Sequence, residues 1–229
     1  MTKGSAVTLP RDITVAGMTK QYEAFGELLL TVSPEEWERP SRCAGWRVAD
    51  VAAHVTGILA DVVNARYDGI GSPEATEREV ATRRGRTPSD LVDELTECAK
   101  LGGDITGSLD DAAWAGPAPG GLPGTLGFGV EGLWYDTFVH GDDIRAALGR
   151  PSVRDDDALR ACVSHLAQLL TDKEWAPATL RFDGLGEFPV SDGGGRVIDG
   201  DPLEFVLVAT GRADPATLGL DGSVNVYAD

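Results

Sequence analysis

The chain has 229 residues, room for one large domain or two small ones. Its formal net charge of −17 at pH 7 repels nucleic acid and anionic membrane, which argues against both as partners and for a small neutral or locally steered ligand. Hydrophobic residues are 42% and charged residues 25%, as in a soluble globular protein, and no apolar run approaches the ~20 residues that span a bilayer.

The start, Met1-Thr2-Lys3-Gly4-Ser5, has no apolar core, which argues against a signal peptide. A first helix is expected over 12–30, where Ile13, Ala16, Tyr22, Phe25, Leu28 and Leu29 recur at roughly helical spacing, with Ser33-Pro34 ending it. A second is expected over 48–67, with Val48, Val51, Val55, Ile58, Leu59 and Val62 on one face and Asp68-Gly69 as the stop. Residues 71–88 are polar and read as a loop. A third helix begins near Ser89 as N-cap, with Asp90 in its first turn and Leu91, Leu95, Cys98 and Leu101 as its apolar face. Residues 116–129, rich in glycine and proline, read as a loop. A fourth helix follows over about 130–148, closed by Gly149 and Pro151. Four helices of this length argue for a four-helix bundle.

The pattern then changes. Residues 155–170 read as a helix with Leu159, Cys162, Val163, Leu166 and Leu170 inward. Strand-like runs follow at 179–182, 187–191 and 196–198, separated by Asp183-Gly184 and Asp192-Gly193 turns. Residues 203–210 suit helix or strand, with Asp201-Pro202 favouring a helix start, and 223–227 look like a last strand. The expected organisation is a helical bundle over 1–150 and a small α+β domain over 151–229, an α+β fold in all.

Two segments carry the chemistry. One ends in Gly45-Trp46-Arg47-Val48-Ala49-Asp50-Val51-Ala52-Ala53-His54; the other is Asp136-Thr137-Phe138-Val139-His140. Asp136 and His140 are four apart and share a helix face. With His54 from another helix they make two imidazoles and a carboxylate, a set that can hold a divalent metal and leave a position open. Taken singly, each has a plainer reading. His54 is then a core histidine satisfied by its neighbours, and Asp136–His140 a helix-surface pair worth a few tenths of a kcal/mol.

Other features weigh less. His165 reads as an exposed or boundary residue. Gly127-Phe128-Gly129-Val130-Glu131-Gly132 matches G-x-G-x-x-G but lacks the preceding strand of a dinucleotide site. Arg83-Arg84-Gly85-Arg86 suits either a solvated loop or the steering of an anionic substrate. The three cysteines, Cys43, Cys98 and Cys162, form no CxxC pattern and fit a reducing cytoplasm, and none has a histidine partner in local sequence.

At the two histidine segments the chain resembles the mycothiol-dependent maleylpyruvate isomerase family, part of the DinB-like bundle superfamily. The resemblance rests on Trp37…Pro40-Ser41…Gly45-Trp46…Val48…Asp50-Val51…His54, on Asp136…Val139-His140…Asp143-Ile144…Leu148-Gly149-Arg150-Pro151, and more weakly on 204–212. It implies a DinB-like four-helix bundle whose metal, usually zinc, is held by His54, Asp136 and His140, and a sterol-carrier-like C-terminal domain. It further implies mycothiol, a low-molecular-weight thiol of actinobacteria, as cofactor. Asp136 stands where the family has glutamate, one methylene longer, so an ion must sit closer to the fourth helix. Arg47 stands where the family often has a Ser or Thr cap, leaving Asp50 to serve the first turn.

The function expected is therefore that of a cytoplasmic enzyme, monomer or homodimer. It uses a metal-activated thiol for cis–trans isomerisation or S-transfer on a small organic molecule, with Asp143 a candidate supporting residue one turn beyond His140. Two alternatives stay open: a metal-free binding module on the same bundle, which the shorter Asp136 keeps alive, and a metal-dependent hydrolase.

Overall fold

The computed structural model describes residues 9–228, so Met1–Ser5, read above as lacking a signal peptide's apolar core, lies outside them. The described chain forms two compact units, one over Pro10–Val153 and one from Arg154 onward that Leu9 joins.

In the first unit, α1 (Arg11–Leu30) buries Met18, Tyr22, Phe25 and Leu29, spaced four, three and four apart along one stripe. Ser33-Pro34 does more than end it. Ser33 accepts from the Glu36 amide at 3.2 Å and its own amide donates to Glu36 at 3.0 Å, a reciprocal cap that opens a short helix, α2 (Pro34–Trp37). In α3 (Val48–Val63) Arg47 offers no side-chain cap, but its own amide donates to Asp50 at 2.9 Å, so the carboxylate at the third position supplies the other half of a capping box. The helix stops short of residue 67 because Asn64 leaves helical geometry and Ala65 takes a positive φ of 55°.

Residues 71–88 are not a plain loop. They contain α4 (Pro73–Ala81), begun by a Ser72 side-chain cap on the Ala75 amide at 3.2 Å and by Pro73. Its buried apolar residues are Ala75 and Val80 alone, too few to make a legible stripe. In α5 (Pro88–Gly107) the cap is Thr87 rather than Ser89, with Asp90 accepting from the Thr87 amide at 2.9 Å, and Leu101 faces solvent.

A short helix, α6 (Asp111–Ala115), precedes the Gly/Pro stretch, and a turn at Pro119–Gly121 interrupts it. Then α7 (Leu126–Ala147) begins earlier than its apolar pattern suggests, capped by Thr125 on the Phe128 amide at 3.1 Å. Gly127 of the G-x-G-x-x-G string has a packing role: a Cβ there would fall 2.4 Å from the indole nitrogen of Trp114 on α6.

Helix α7 packs on α1, α1 on α5, α5 on α3 and α3 on α7, which closes a four-helix bundle, and α4 lies against α3. The α1–α7 seam is held close by one small residue. A Cβ at Gly17 would fall 2.0 Å from the Trp134 ring, so glycine lets that fully buried indole sit directly on the α1 backbone.

The second unit comprises α8 (Asp156–Asp172), β1 (Ala178–Phe182), β2 (Gly186–Val190), β3 (Arg196–Ile198) and α9 (Pro202–Ala209). The sheet order is β2-β1-β3, with β1 antiparallel to β2 and parallel to β3. Helix α8 packs on both α9 and β2, which is why His165, expected at a boundary, is buried. Residues 223–227 do not form a strand. The Asp221 side chain accepts from the Ser223 amide at 2.9 Å and closes a 3₁₀ turn over Gly222–Val224 instead. The whole is α+β, and no helix among the described residues is long and apolar enough to cross a membrane.

Candidate metal centre

His54 lies on the second turn of α3, and Asp136 and His140 lie one turn apart on α7, which packs against it. The bundle brings all three together: one ligand atom from each lies within 4.8 Å of the others. Nε2 of His140 is 3.4 Å from one Asp136 oxygen and Nε2 of His54 is 3.8 Å from the other. Charge-assisted N–H···O bonds close to about 2.7–2.9 Å, so these pairs are too far apart for strong direct bonds. They are near the ~3.3 Å that separates ligand atoms on a tetrahedral ion with ~2 Å bonds. The Asp136 oxygen facing His54 is buried and has no hydrogen-bond partner, a cost that an ion between these groups would relieve.

Each imidazole is held from behind by a carboxylate. Nδ1 of His54 is 2.7 Å from Glu79 of α4, and Nδ1 of His140 is 2.9 Å from Asp143 of α7. With Nδ1–H donating outward, each Nε2 faces Asp136, so that giving up its Nε2 proton would leave each imidazole with a lone pair in the orientation metal-binding histidines require. Asp143, singled out above, is fully buried and also accepts from Arg42 Nε at 3.0 Å, while Arg42 Nη2 donates to Asp142 at 2.6 Å.

Sequence reasoning missed three neighbours. Glu79 sits in the segment read as loop; the Ser72-Pro73 start signal was the clue to its helix. Cys43, far from any histidine in sequence, places Sγ 3.2 Å from Asp143 and 3.8 Å from His140 Nδ1. Cys43, His140 and Asp143 also have metal-ligand spacing, but Asp143 already accepts hydrogen bonds from all sides there, so this second trio needs no ion. Trp46, half-buried, stands with its ring 5.3 Å from His54 and 6.4 Å from His140 and forms an apolar wall. The basic cluster is absorbed structurally: Arg83 and Arg86 pair with Glu94, and Arg84 with Glu77.

The trio's electrostatics are strongly coupled. Burial opposes a charged His140, but the Asp136 carboxylate, helped by Asp143, holds its pKa well above the usual value. Burial likewise opposes a charged His54, and Asp136 and Glu79 more than offset it. Burial would raise the Asp136 pKa, yet the two imidazoles hold it well below the carboxylate range. The raised histidines stabilise the metal-free fold fully below about pH 6.5, and that contribution fades as pH climbs through their folded pKa values. The depressed Asp136 contributes above about pH 4 and is lost only in stronger acid. The melting temperature of chelator-treated protein should therefore fall as pH rises above about 6.5. An ion competes with protons for the same nitrogens, so zinc-supplemented protein should gain stability over that range. Parallel falls in both samples would mean that ions do not use these imidazoles.

A sequence profile of the mycothiol maleylpyruvate isomerase N-terminal domain matches residues 18–145. The crystal structure of the mycothiol-dependent maleylpyruvate isomerase superposes with a TM-score of 0.65 at 19% identity, over 90% of each chain. A histidine-to-alanine variant of that isomerase superposes at 0.61 and 17% identity, again over 90% of each chain. No curated protein matches significantly.

Proposed function

Because the chain belongs to the mycothiol maleylpyruvate isomerase N-terminal domain family, we propose that its bundle is a thiol-dependent, metal-assisted catalytic domain acting on a small organic molecule. The observation that carries this reading is the convergence of His54, Asp136 and His140 around an unpartnered carboxylate oxygen, with Glu79 and Asp143 fixing both imidazoles. These three side chains would hold a divalent ion, zinc being the best match to a nitrogen and carboxylate set. Such an ion, with a position left open, would supply the acidity that turns a thiol into a thiolate nucleophile at neutral pH. The thiol we propose is mycothiol, and the reaction is addition to an activated double bond, rotation and release, or S-transfer.

The chain's own residues supply orientation and a screened environment. Asp136 and His140, one turn apart on the same face of α7, would hold the ion from that helix. Arg42 pairs with Asp142 and Asp143 together, so Asp143 keeps one rotamer and His140 with it. The Trp46 ring stands beside both imidazoles and gives that side of the site an apolar neighbour.

The test is a thermal shift with four samples: metal-loaded and metal-free protein, each with and without thiol. A thiol at tenfold its Kd stabilises the state that binds it by about 1.4 kcal/mol, or roughly 3–6 °C for a domain of this size. That shift is expected in the metal-loaded sample alone and should be larger at equal concentration for mycothiol than for a generic thiol. Equal shifts in loaded and metal-free protein would remove the ion as the thiol site and favour hydrolysis through a bound water.

A further inference from the structure

We infer that Glu79 is the positioning residue that sets the tautomer and tilt of His54, and that Gly57 exists to let it reach. The inference rests on the reading of His54 as a metal ligand and deepens it.

Glu79 is 2% exposed, on a short surface helix whose other buried residues are small. A carboxylate so placed is costly unless it is compensated. Its compensation is a single hydrogen bond, from His54 Nδ1 to Oε2 at 2.7 Å; Oε1 is buried and has no hydrogen-bond partner. Glu79 is therefore not satisfied for its own sake. Its arrangement makes sense as a device acting on the imidazole. Accepting from Nδ1–H, it leaves the Nε2 lone pair facing Asp136 and increases that nitrogen's donor strength. It also adds a second negative charge behind the ligand set, which favours a dication in a buried site.

The fold is shaped around this contact. Gly57 follows His54 by one turn of α3, and a Cβ there would fall 2.6 Å from Glu79 Cβ and 3.0 Å from its Cγ. Any side chain at 57 would lift α4 and withdraw the carboxylate. From the other side Arg83, just past the end of α4, donates to the Glu79 carbonyl at 3.1 Å and pairs with Glu94 on α5 through two hydrogen bonds. Helix α4 is thus pressed onto α3 at Glu79. Because Asp136 is a short acid on α7, His54 must lean toward α7 for one ion to touch both, and Glu79 supports it from the opposite side.

The test compares wild type, Glu79→Gln and Gly57→Ala by competition with a chromophoric chelator for Zn(II) and Co(II), and by the visible spectrum of the Co(II) forms. Glutamine keeps the size and an acceptor but removes the charge, so metal affinity should fall 10–100-fold. The Co(II) d–d bands should shift, which loss of bulk stability alone would not produce. Gly57→Ala should give the same signature with Glu79 intact. If wild type binds metal and both variants bind as tightly with unchanged spectra, Glu79 is only a packing residue and the inference fails while the metal centre stands. If wild type binds no metal, both fail. Should Glu79→Gln not fold, wild-type affinity in Gly57→Ala is enough to overturn the inference.

Discussion

Replacing His140 with alanine is expected to lower metal affinity by more than 100-fold and to remove thiol-dependent turnover with it. An outer partner of a metal ligand is worth 10–100-fold, and a ligand itself must be worth more. The substitution leaves His54 and Asp136, two donors where a catalytic ion needs three. It also leaves Asp143 without the imidazole hydrogen bond, although Arg42 and Cys43 still engage that carboxylate. The metal-free fold should survive with a loss of about 1.5–3 kcal/mol, the worth of a hydrogen bond to a charged group such as Asp143, and more below about pH 6.5, where the imidazole's attraction to Asp136 is also lost. Metal content after dialysis and chelator competition read the first effect, and urea denaturation in EDTA reads the second. Equal metal in wild type and variant would place the ion elsewhere on the chain.

The largest effect on stability is expected at Trp134. Its indole is almost wholly buried and rests on α1 at Gly17, along the seam that fixes α7 and so Asp136 and His140. Alanine there removes the whole ring from a contact between two helix backbones, a change that costs about 3–5 kcal/mol. Phenylalanine should cost much less than alanine, for a specific reason. The Trp134 indole N–H is buried without a hydrogen-bond partner, so losing it removes an unmet polar group along with some apolar surface. Urea unfolding of Trp134→Ala and Trp134→Phe separates the two contributions. A near-neutral Trp134→Ala would show that the α1–α7 seam is not what holds the bundle.

Periodicity alone revealed the long helices, because each must bury one stripe and the stripe repeats at the helical period. Tyr22, Phe25, Leu28 and Leu29 on α1 and Val48, Val51, Val55 and Leu59 on α3 are legible for this reason, whereas Ile13 and Ala16, expected on the α1 stripe, are exposed and Met18 is buried instead. So is the α+β character of the whole, with turn signals parting short apolar runs in the second unit. Helix boundaries were less legible, since caps act through one or two side chains: Thr87 in place of Ser89, Thr125 several residues before the apolar pattern begins, Asn64 before the glycine. Helix α4 escaped notice because two buried apolar residues cannot show a period, though Ser72-Pro73 marks its start.

The same division runs through the site. That Asp136 and His140 share a face is a property of any helix and follows from their spacing. The carboxylate behind His140 is likewise local, three residues along the same helix at Asp143. What faces His54 is not local. Glu79 reaches it only because α4 folds back onto Gly57, and Cys43, Trp46 and Arg42 meet α7 only because the loop before α3 lies over it. Contacts within a few residues are written in the helical repeat; contacts across 25 to 101 positions depend on which helix faces pack together, and that is decided by the burial of all the stripes at once.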